Sequence, residues 1–380
     1  MSTKVKFGMV TGKVFVPRHL ERILDDLYPV AKKCVQRMLK NRKETSSKFY
    51  PEIPCVVSKS LVAKYQRNLK LKTISRLVLP ICGDKGKIVK WDGEFIRVPA
   101  LFKKEGIRVT PVKPIESKIS SVEFKRSRGR WTMYFSYLTT VTKTELGYGA
   151  IGVDCNCLGN IATIADTETG KVKRLGPDVS SWKENFKRRK RRLQKRKAYG
   201  LLNKLKSRQR NRTYDFNHKV SRVIVNYATA HRKPIVLEDL KLAKRGAFSR
   251  NARRKRWSFF QLAQFVKYKA SLRGIPVYCV SPYNTSKECS RCGRINVDLG
   301  ASKKFSCSCG HTDHRDANAA FNIGKRYLKE PLKAKVFNGS KWIRNRNAIS
   351  GTCVQNSIKS TDNARELSAG LSDDPQTGKR

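Results

Sequence analysis

Four cysteines, Cys289, Cys292, Cys307 and Cys309, fall in one short stretch with too few apolar residues to build a core. Such a segment folds only if something other than apolar burial closes it, and thiolates at these spacings close on a metal ion. Cys289-Ser-Arg-Cys292 has the spacing of a zinc knuckle, and 14 residues separate Cys292 from the second pair. That pair is one residue short, with Ser308 alone between Cys307 and Cys309. Either the second turn is tightened or His311 replaces one thiolate. Four protein ligands leave no open position, so the expected ion is a structural Zn²⁺. The remaining cysteines, Cys34, Cys55, Cys82, Cys155, Cys157, Cys279 and Cys353, are expected to be small fillers of the core. No apolar N-terminal segment of the secretory kind precedes them, so disulfides are not expected.

Lys and Arg number 83 against 29 Asp and Glu, a formal charge of +54. A compact chain so charged repels itself, and a polyanion is the partner that relieves the repulsion. Charge of this kind reports phosphate rather than chemistry, and alone it also fits a ribosomal or histone-like protein. No run approaches the roughly 18 apolar residues of a membrane span. The expectation is an intracellular, nucleic-acid-binding protein with no membrane partner.

Three carboxylates stand out against this basic background. Asp154 closes Ala150-Ile-Gly-Val-Asp154, Glu238 closes the apolar run Ile235-Val-Leu-Glu238, and Asp316 opens Asp316-Ala-Asn318-Ala-Ala320. A first strand, a later strand and a helix start, in that order, is the arrangement of an RNase H-like sheet. Acids gathered there repel one another unless cations offset the charge. Oxygen ligands of this kind hold one or two Mg²⁺ ions, which activate water and stabilise the leaving oxygen of a phosphodiester. Singly, each acid also reads as a cap or a turn residue. Three at matching elements read as a site.

The pattern of the rest of the chain is mixed. Val5 to Val16 reads as a strand pair broken at Gly12, and Leu20 to Met38 as an amphipathic helix kinked at Pro29. A second short helix is expected over residues 58–69, with Tyr65, Arg67 and Lys70 facing nucleic acid. Residues 87–142 alternate as short strands, Trp131 to Tyr137 most clearly. Between Lys183 and Arg222 there are 17 Lys or Arg against Glu184 and Asp215, on a segment that carries a helical apolar stripe. Its outward cations, Arg188, Arg189, Arg192, Arg196, Lys204, Arg208 and Arg212, are expected to meet phosphate. His218 reads as a surface or phosphate contact. Arg245 to Arg256 is a basic loop, residues 259–272 a helix and residues 275–280 a strand. Periodicity fades after about Lys329, and Asp362 to Arg380 reads as disordered.

Gly152-Val-Asp154, Val236-Leu-Glu238-Asp239-Leu240, Thr285-Ser-Lys-Glu-Cys289-Ser-Arg-Cys292-Gly293 and Arg315-Asp316-Ala-Asn318-Ala-Ala320 together resemble the TnpB family. These are the insertion-sequence-encoded relatives of type V CRISPR effectors. The resemblance is specific from about Ile151 to Tyr327 and one of architecture alone over residues 1–145. It implies an α/β plus β fold: an RNase H-like RuvC domain with an inserted zinc ribbon, preceded by a small wedge-like β-barrel carrying a helical insertion. The implied boundaries are 1–16 and 80–145 for the barrel and 17–79 for the helical recognition insertion. The nuclease takes 146–284 and 311–330, the ribbon 285–310, and a mostly disordered tail 331–380. Asp154, Glu238 and Asp316 become Mg²⁺-binding catalytic acids, and Cys289, Cys292, Cys307 and Cys309 the Zn²⁺ ligands. The activity implied is RNA-guided, metal-dependent cleavage of DNA, with guide RNA and target DNA as partners in the cytoplasm of a prokaryotic host. The alternative is an RNA-guided DNA-binding regulator that does not cut. Departures from the family pattern are Cys155-Asn156-Cys157 after the first acid, His314 where relatives often carry an acid, and the shortened second cysteine pair.

Overall fold

Apolar residues recurring every second position make half-buried strands, and those recurring every third or fourth make helices with one apolar face. The computed structural model describes residues 4–66, 68, 71–82, 88–111, 113–115, 119–142, 144–156, 159–239, 257–296, 302–337 and 342–344. They fall into two compact units, Lys4–Val141 and Thr142 onward.

The first unit contains β1 (Lys4–Phe15), α1 (Arg18–Lys40), α2 (Cys55–Leu61), β2 (Val78–Cys82), β3 (Lys90–Trp91), β4 (Phe95–Arg97), α3 (Pro99–Phe102), β5 (Gly106–Arg108), β6 (Ile119–Ser127) and β7 (Arg130–Thr142). Along β7 every second side chain from Trp131 to Val141 is buried, the period-2 signature of a strand with one face on a core. α1 turns Leu20, Leu24, Ala31, Cys34, Val35 and Met38 inward and runs unbroken through Pro29. Trp131 Nε1 donates to Asp25 at 2.8 Å and its amide donates to Glu21 at 3.0 Å, which pins the helix to β7.

Three expectations change here. β1 is one strand, and Gly12 is not a turn: a Cβ there would enter the ring of Phe135, so glycine serves close packing. Tyr65 is buried, with its hydroxyl donating to Val78 O at 3.0 Å, so it is a core residue and not a nucleic-acid contact. Arg67 and Lys70 lie outside the described residues. The strands form a four-stranded sheet, β1-β7-β6-β2, and a three-stranded sheet, β3-β4-β5, and among the described residues no ring of hydrogen bonds closes them into a barrel. β3, β4 and β5 are two or three residues long, too short to wrap and close.

The second unit is built on a seven-stranded sheet of order β10-β9-β8-β11-β12-β15-β16. Its strands are β8 (Ile151–Cys155), β9 (Ala162–Asp166), β10 (Val172–Leu175), β11 (Ile235–Glu238), β12 (Val277–Val280), β15 (Lys335–Phe337) and β16 (Trp342–Arg344). β8, β11 and β12 are parallel, while β9, β10, β15 and β16 join antiparallel to their neighbours. The last two strands fall where fading periodicity had placed a disordered tail. Three-residue strands carry too short a pattern to read, and residues 345–380 lie outside the described residues.

Helices cover both faces. On one side α5 (Tyr199–Ala230), preceded by α4 (Ser180–Lys195), and α6 (Trp257–Ser271) bury Val220, Ile224, Val225, Leu262, Val266 and Ala270 against Ile151, Val153, Ile164, Ile235 and Leu237. On the other, α7 (Arg315–Lys329) packs Ile323 and Tyr327 against Ala150, Val236 and Val280. Between β12 and α7 lies a hairpin, β13 (Lys304–Ser306) and β14 (Thr312–His314). Among the described residues no helix is long and apolar enough to cross a membrane.

α7 reaches β8 backbone to backbone. A Cβ on Gly152 would run into the carbonyl of Ala320 and come 2.7 Å from the amide nitrogen of Gly324. Gly152→Val is therefore expected to cost about 3 kcal/mol or more of stability, since neither backbone can yield. Gly200→Ala, at a helical glycine with open space around it, should be neutral or stabilising by roughly 0.5–1 kcal/mol. Denaturant unfolding of the two variants checks the contrast.

Candidate functional site

Strand parity decides which face each carboxylate takes. In β8, Ile151 and Val153 enter the core beneath α5 and α6, so Gly152 and Asp154 turn to the face that α7 covers. In β11, Ile235 and Leu237 enter that same core, so Glu238 shares the side of Val236, again under α7. The parallel register sets Ile235 beside Ile151 and Val236 beside Gly152. Beyond that pairing Glu238 and Asp154 each follow two residues on along the same face, although the ligand oxygens of the three acids do not all lie within 4.8 Å of one another. Asp316 lies in the first turn of α7, on the same face. All three acids are partly buried.

Asp154 feels the charge of the other two. Burial holds the Asp154 carboxyl well above its usual range, and Glu238 and Asp316 push it further, against a smaller pull from Lys303 and the Cys155 amide. Glu238 is raised too, by burial first, with the Thr285 hydroxyl and Arg326 pulling back. Asp166 provides the contrast. Burial raises it as well, but Lys233 Nζ at 2.6 Å outweighs that and holds it below the ordinary value. An acid stays raised where no cation matches it, which makes the Asp154 cluster a seat for positive charge.

Two residues that sequence reasoning left without a role complete the cluster. Thr285 Oγ1 donates to Glu238 Oε1 at 2.6 Å, fixing one carboxylate oxygen. Lys303 Nζ lies 3.1 and 3.0 Å from the two oxygens of Asp316. The Lys303 side chain is 53% exposed, so this pair contributes little, about 0–1 kcal/mol, and is readily displaced. Thr285 stands in a quoted motif, but Lys303 is one lysine among many in the chain, and only the hairpin brings it to Asp316.

The thiols are gathered more tightly. Among the described residues, Cys289, Cys292, Cys307 and Cys309 are the one group of three or more potential ligands whose donor atoms all lie within 4.8 Å of one another. Sγ separations of 3.7 Å for Cys289–Cys309 and 3.6 Å for Cys292–Cys307 match the edge of a thiolate tetrahedron, about 3.8 Å for Zn–S near 2.3 Å. The four therefore fit a zinc ion. Each knuckle turns through a left-handed glycine, Gly293 with φ 76° and Gly310 with φ 80°. The short second pair is a tightened turn: His311 instead places Nε2 3.1 Å from Ser290 Oγ and is not in the set. The Cys309 amide and neighbouring thiols draw the Cys307 thiol down to about 6, while burial and the same thiols push Cys309 up to about 11, so without an ion the cluster shares its protons.

Ribbon and acid cluster share one support, the inner row of α7. Asn318 accepts from the Ser290 amide at 2.8 Å and donates to Glu288 O at 2.7 Å, and Asn322 donates to Thr285 O at 2.9 Å. His314, the departure from the family pattern noted above, caps α7: its Nδ1 accepts from the Asp316 amide at 3.3 Å. Burial and Arg174 hold that imidazole below its usual pKa, in the neutral form that an acceptor requires.

Arg188, Arg189, Arg192, Arg196, Lys204, Arg208 and Arg212 are all exposed along α4, α5 and the turn between them. Arg212 also lies over Trp182 and Phe216, 5.2 and 5.4 Å from their ring centres. Cys34 and Cys279 are buried and Cys155 packs partly against the core, but Cys55 and Cys82 are exposed and so are not fillers. Cys157, Cys353 and the basic loop over residues 245–256 lie outside the described residues.

The family model described as Cas12f1-like, TNB domain matches residues 259–323. A TnpB-like protein of Methanocaldococcus jannaschii is 30% identical over 179 residues, covering 44% of this chain and 62% of its own. A CRISPR-associated endodeoxyribonuclease Cas12f2 of a Micrarchaeota archaeon is 25% identical over 309 residues, or 66% of this chain and 55% of that one. A protein of Streptomyces pristinaespiralis named putative RNA-guided DNA endonuclease is 28% identical over 238 residues, or 57% and 55%. The chain thus spans less than two thirds of the length of these relatives. Among solved structures, a Cas12f1–sgRNA–target DNA complex aligns over 83% of this chain and 98% of that one, at a TM-score of 0.38 and 16% identity.

Two outcomes are expected of the site. Cys292→Ser should lower bound zinc from about one ion per chain towards none and lower the melting temperature, read by elemental analysis and thermal unfolding. For Asp154 the folded pKa lies above the ordinary 3.8. The folded chain therefore holds that proton longer, and the group's contribution to stability falls as pH rises from about 4 through the raised value. Ion-free protein should accordingly be stabilised at neutral pH by Asp154→Asn, whereas wild type should gain stability when a divalent cation is added.

Proposed function

The chain belongs to the family that unites TnpB-like proteins with Cas12f-type effectors, and on that premise we propose that it is an RNA-guided DNA endonuclease. The observation that carries the reading is the raised, cation-poor carboxyl of Asp154 beside Glu238 and Asp316, in a chain of charge +54. Acids left unmatched within so basic a protein are placed to bind metal, since any structural use would be served better by one of the 83 lysines and arginines.

In this reading Asp154, Glu238 and Asp316 hold the divalent cations, with Mg²⁺ the natural choice for an all-carboxylate set. When bound, such ions supply an activated water and charge stabilisation for phosphodiester hydrolysis. The chain's own residues do the rest. Thr285 holds one oxygen of Glu238 in hydrogen bond and so keeps the other free to act as ligand. Lys303, whose exposed ammonium lies on Asp316, would be free to contact a phosphate oxygen if a divalent cation took its place on that carboxylate. The zinc ribbon keeps both residues in place. The exposed cations of α4 and α5 bind nucleic-acid backbone without reading sequence, which leaves base pairing with a guide RNA to select the target DNA. Action on DNA in the cytoplasm of a prokaryotic host, as part of a transposon or a compact type V system, belongs to the same proposal.

The test begins with the RNA that copurifies with the full chain, used to guide Mg²⁺-dependent cleavage of a matched target. Asp154→Ala should cut more than ~100-fold more slowly, beyond the range that outer-shell changes reach at metal sites, while retaining its RNA. Undiminished cutting by that variant would remove the acid assignment. Guided binding without cutting by wild type would instead favour the regulator.

A further inference from the structure

Away from the carboxylates, on the seam between α5 and α6, four rings stand in contact. Tyr214 and His218 lie 4.4 Å apart by ring centre, His218 and Phe265 3.9 Å, and Phe265 and Tyr268 6.0 Å. The inner two hold the helices together, but the outer two are open: Tyr214 is 50% and Tyr268 40% exposed. Large exposed aromatics cost solubility, and a pair of them at one seam marks a contact surface.

The surroundings are cationic and unmatched. Lys269 Nζ lies beneath the rings, 5.9 Å from the centres of both Phe265 and Tyr268. It donates to neutral oxygens alone, His218 O and Ser221 Oγ, each at 2.6 Å. Burial, and then Arg222, bring its pKa down to about 8. Among the described residues neither Lys269 nor Arg222 has a carboxylate within 4.0 Å; the one acid at the seam, Asp215, is taken by Lys219 at 2.9 Å. His218 adds no charge of its own, since burial, Lys269 and Arg222 keep its imidazole neutral, and its Nε2 is buried without a partner. Its place is thus within the ring stack and not at a phosphate. Tyr214, Asp215, His218, Lys219, Arg222 and Val223 line a shallow hollow of about 540 Å³, within the roughly 300–1,000 Å³ of small-ligand sites, and the one carboxylate among them is neutralised by Lys219.

Exposed aromatic rings beside a guanidinium with no carboxylate partner are the two halves of a nucleotide site. We propose that this seam binds one unpaired nucleotide of a single-stranded nucleic acid, its base against the exposed tyrosine rings and its phosphate on Arg222. Any base offers a π-face, so the site selects single strands without selecting sequence. It differs in kind from the arginine stripe of α4 and α5, which takes phosphates from duplex or single strand alike. The inference rests on the nucleic-acid partner proposed above but not on cleavage.

The experiment uses the full chain in chelator, so that no cutting intervenes, and a single-stranded oligonucleotide carrying 2-aminopurine. Tyr214→Ala and Tyr268→Ala should each bind about tenfold more weakly and lose part of the fluorescence quenching that stacking produces. Tyr214→Phe and Tyr268→Phe should bind within about twofold of wild type, because stacking needs the ring and not the hydroxyl. The slope of log Kd against log salt should stay unchanged in the tyrosine variants and fall by about one in Arg222→Ala. Alanine variants that bind like wild type with quenching intact, or phenylalanine variants as weak as the alanine ones, would overturn the proposal. Wild-type protein that binds no oligonucleotide would overturn it together with the nucleic-acid reading. Guided cleavage that fails while stacking persists would sink the nuclease reading alone.

Discussion

The approach of α7 to β8 through Gly152 and Gly324 is the contact on which the second unit depends. With any larger residue at 152 the helix would stand off by the width of a side chain, and Asp316 would leave the neighbourhood of Asp154. The same helix carries Asn318 and Asn322, which hold the chain leading into and through the first cysteine knuckle, and that chain carries Thr285 to Glu238. One close approach therefore sets acid geometry, ribbon position and hydrogen bonding together. Failure at that contact would not be local.

Charge is used in two opposite ways around that helix. Asp166 and Lys233 form a buried pair in which each charge is matched, a fastening with no free capacity. Asp154 and Glu238 remain raised because they are buried, Asp154 beside further acid, and the Thr285 hydroxyl and Arg326 offset only part of the burial of Glu238. Such an arrangement lowers stability in the absence of an added cation, the usual cost at a site built to bind one. The thiols follow the same logic on a smaller scale, with four donors drawn to separations that suit an ion.

In the proposed reading the basic helices divide their work by side-chain type. α4 buries no residue at all and offers mainly charge. α5 is long enough to offer charge at its beginning and, further along, a seam of rings shared with α6. Phosphate recognition needs only the first, whereas telling a single strand from a duplex needs the second.

Much of this was legible in the residues themselves. The ends of apolar runs located Asp154 and Glu238, the spacing of Cys289 and Cys292 announced a metal knuckle, and helical periodicity outlined α1, α5, α6 and α7. These are local signals, set by neighbours a few positions apart. Contacts between distant segments left no such mark. Lys303 among many lysines, Tyr214 and Tyr268 separated by more than fifty residues, the packing role of Gly12 and the short strands β15 and β16 have no pattern of their own. Whether His311 or Cys309 closed the ribbon was equally open until the turn at Gly310 was seen. Sequence by itself thus determined which chemistry the chain carries, because chemistry resides in residue types and local spacing. Tertiary structure alone decided which groups face one another and which charges stay unmatched, because burial and distance are properties of the packed chain.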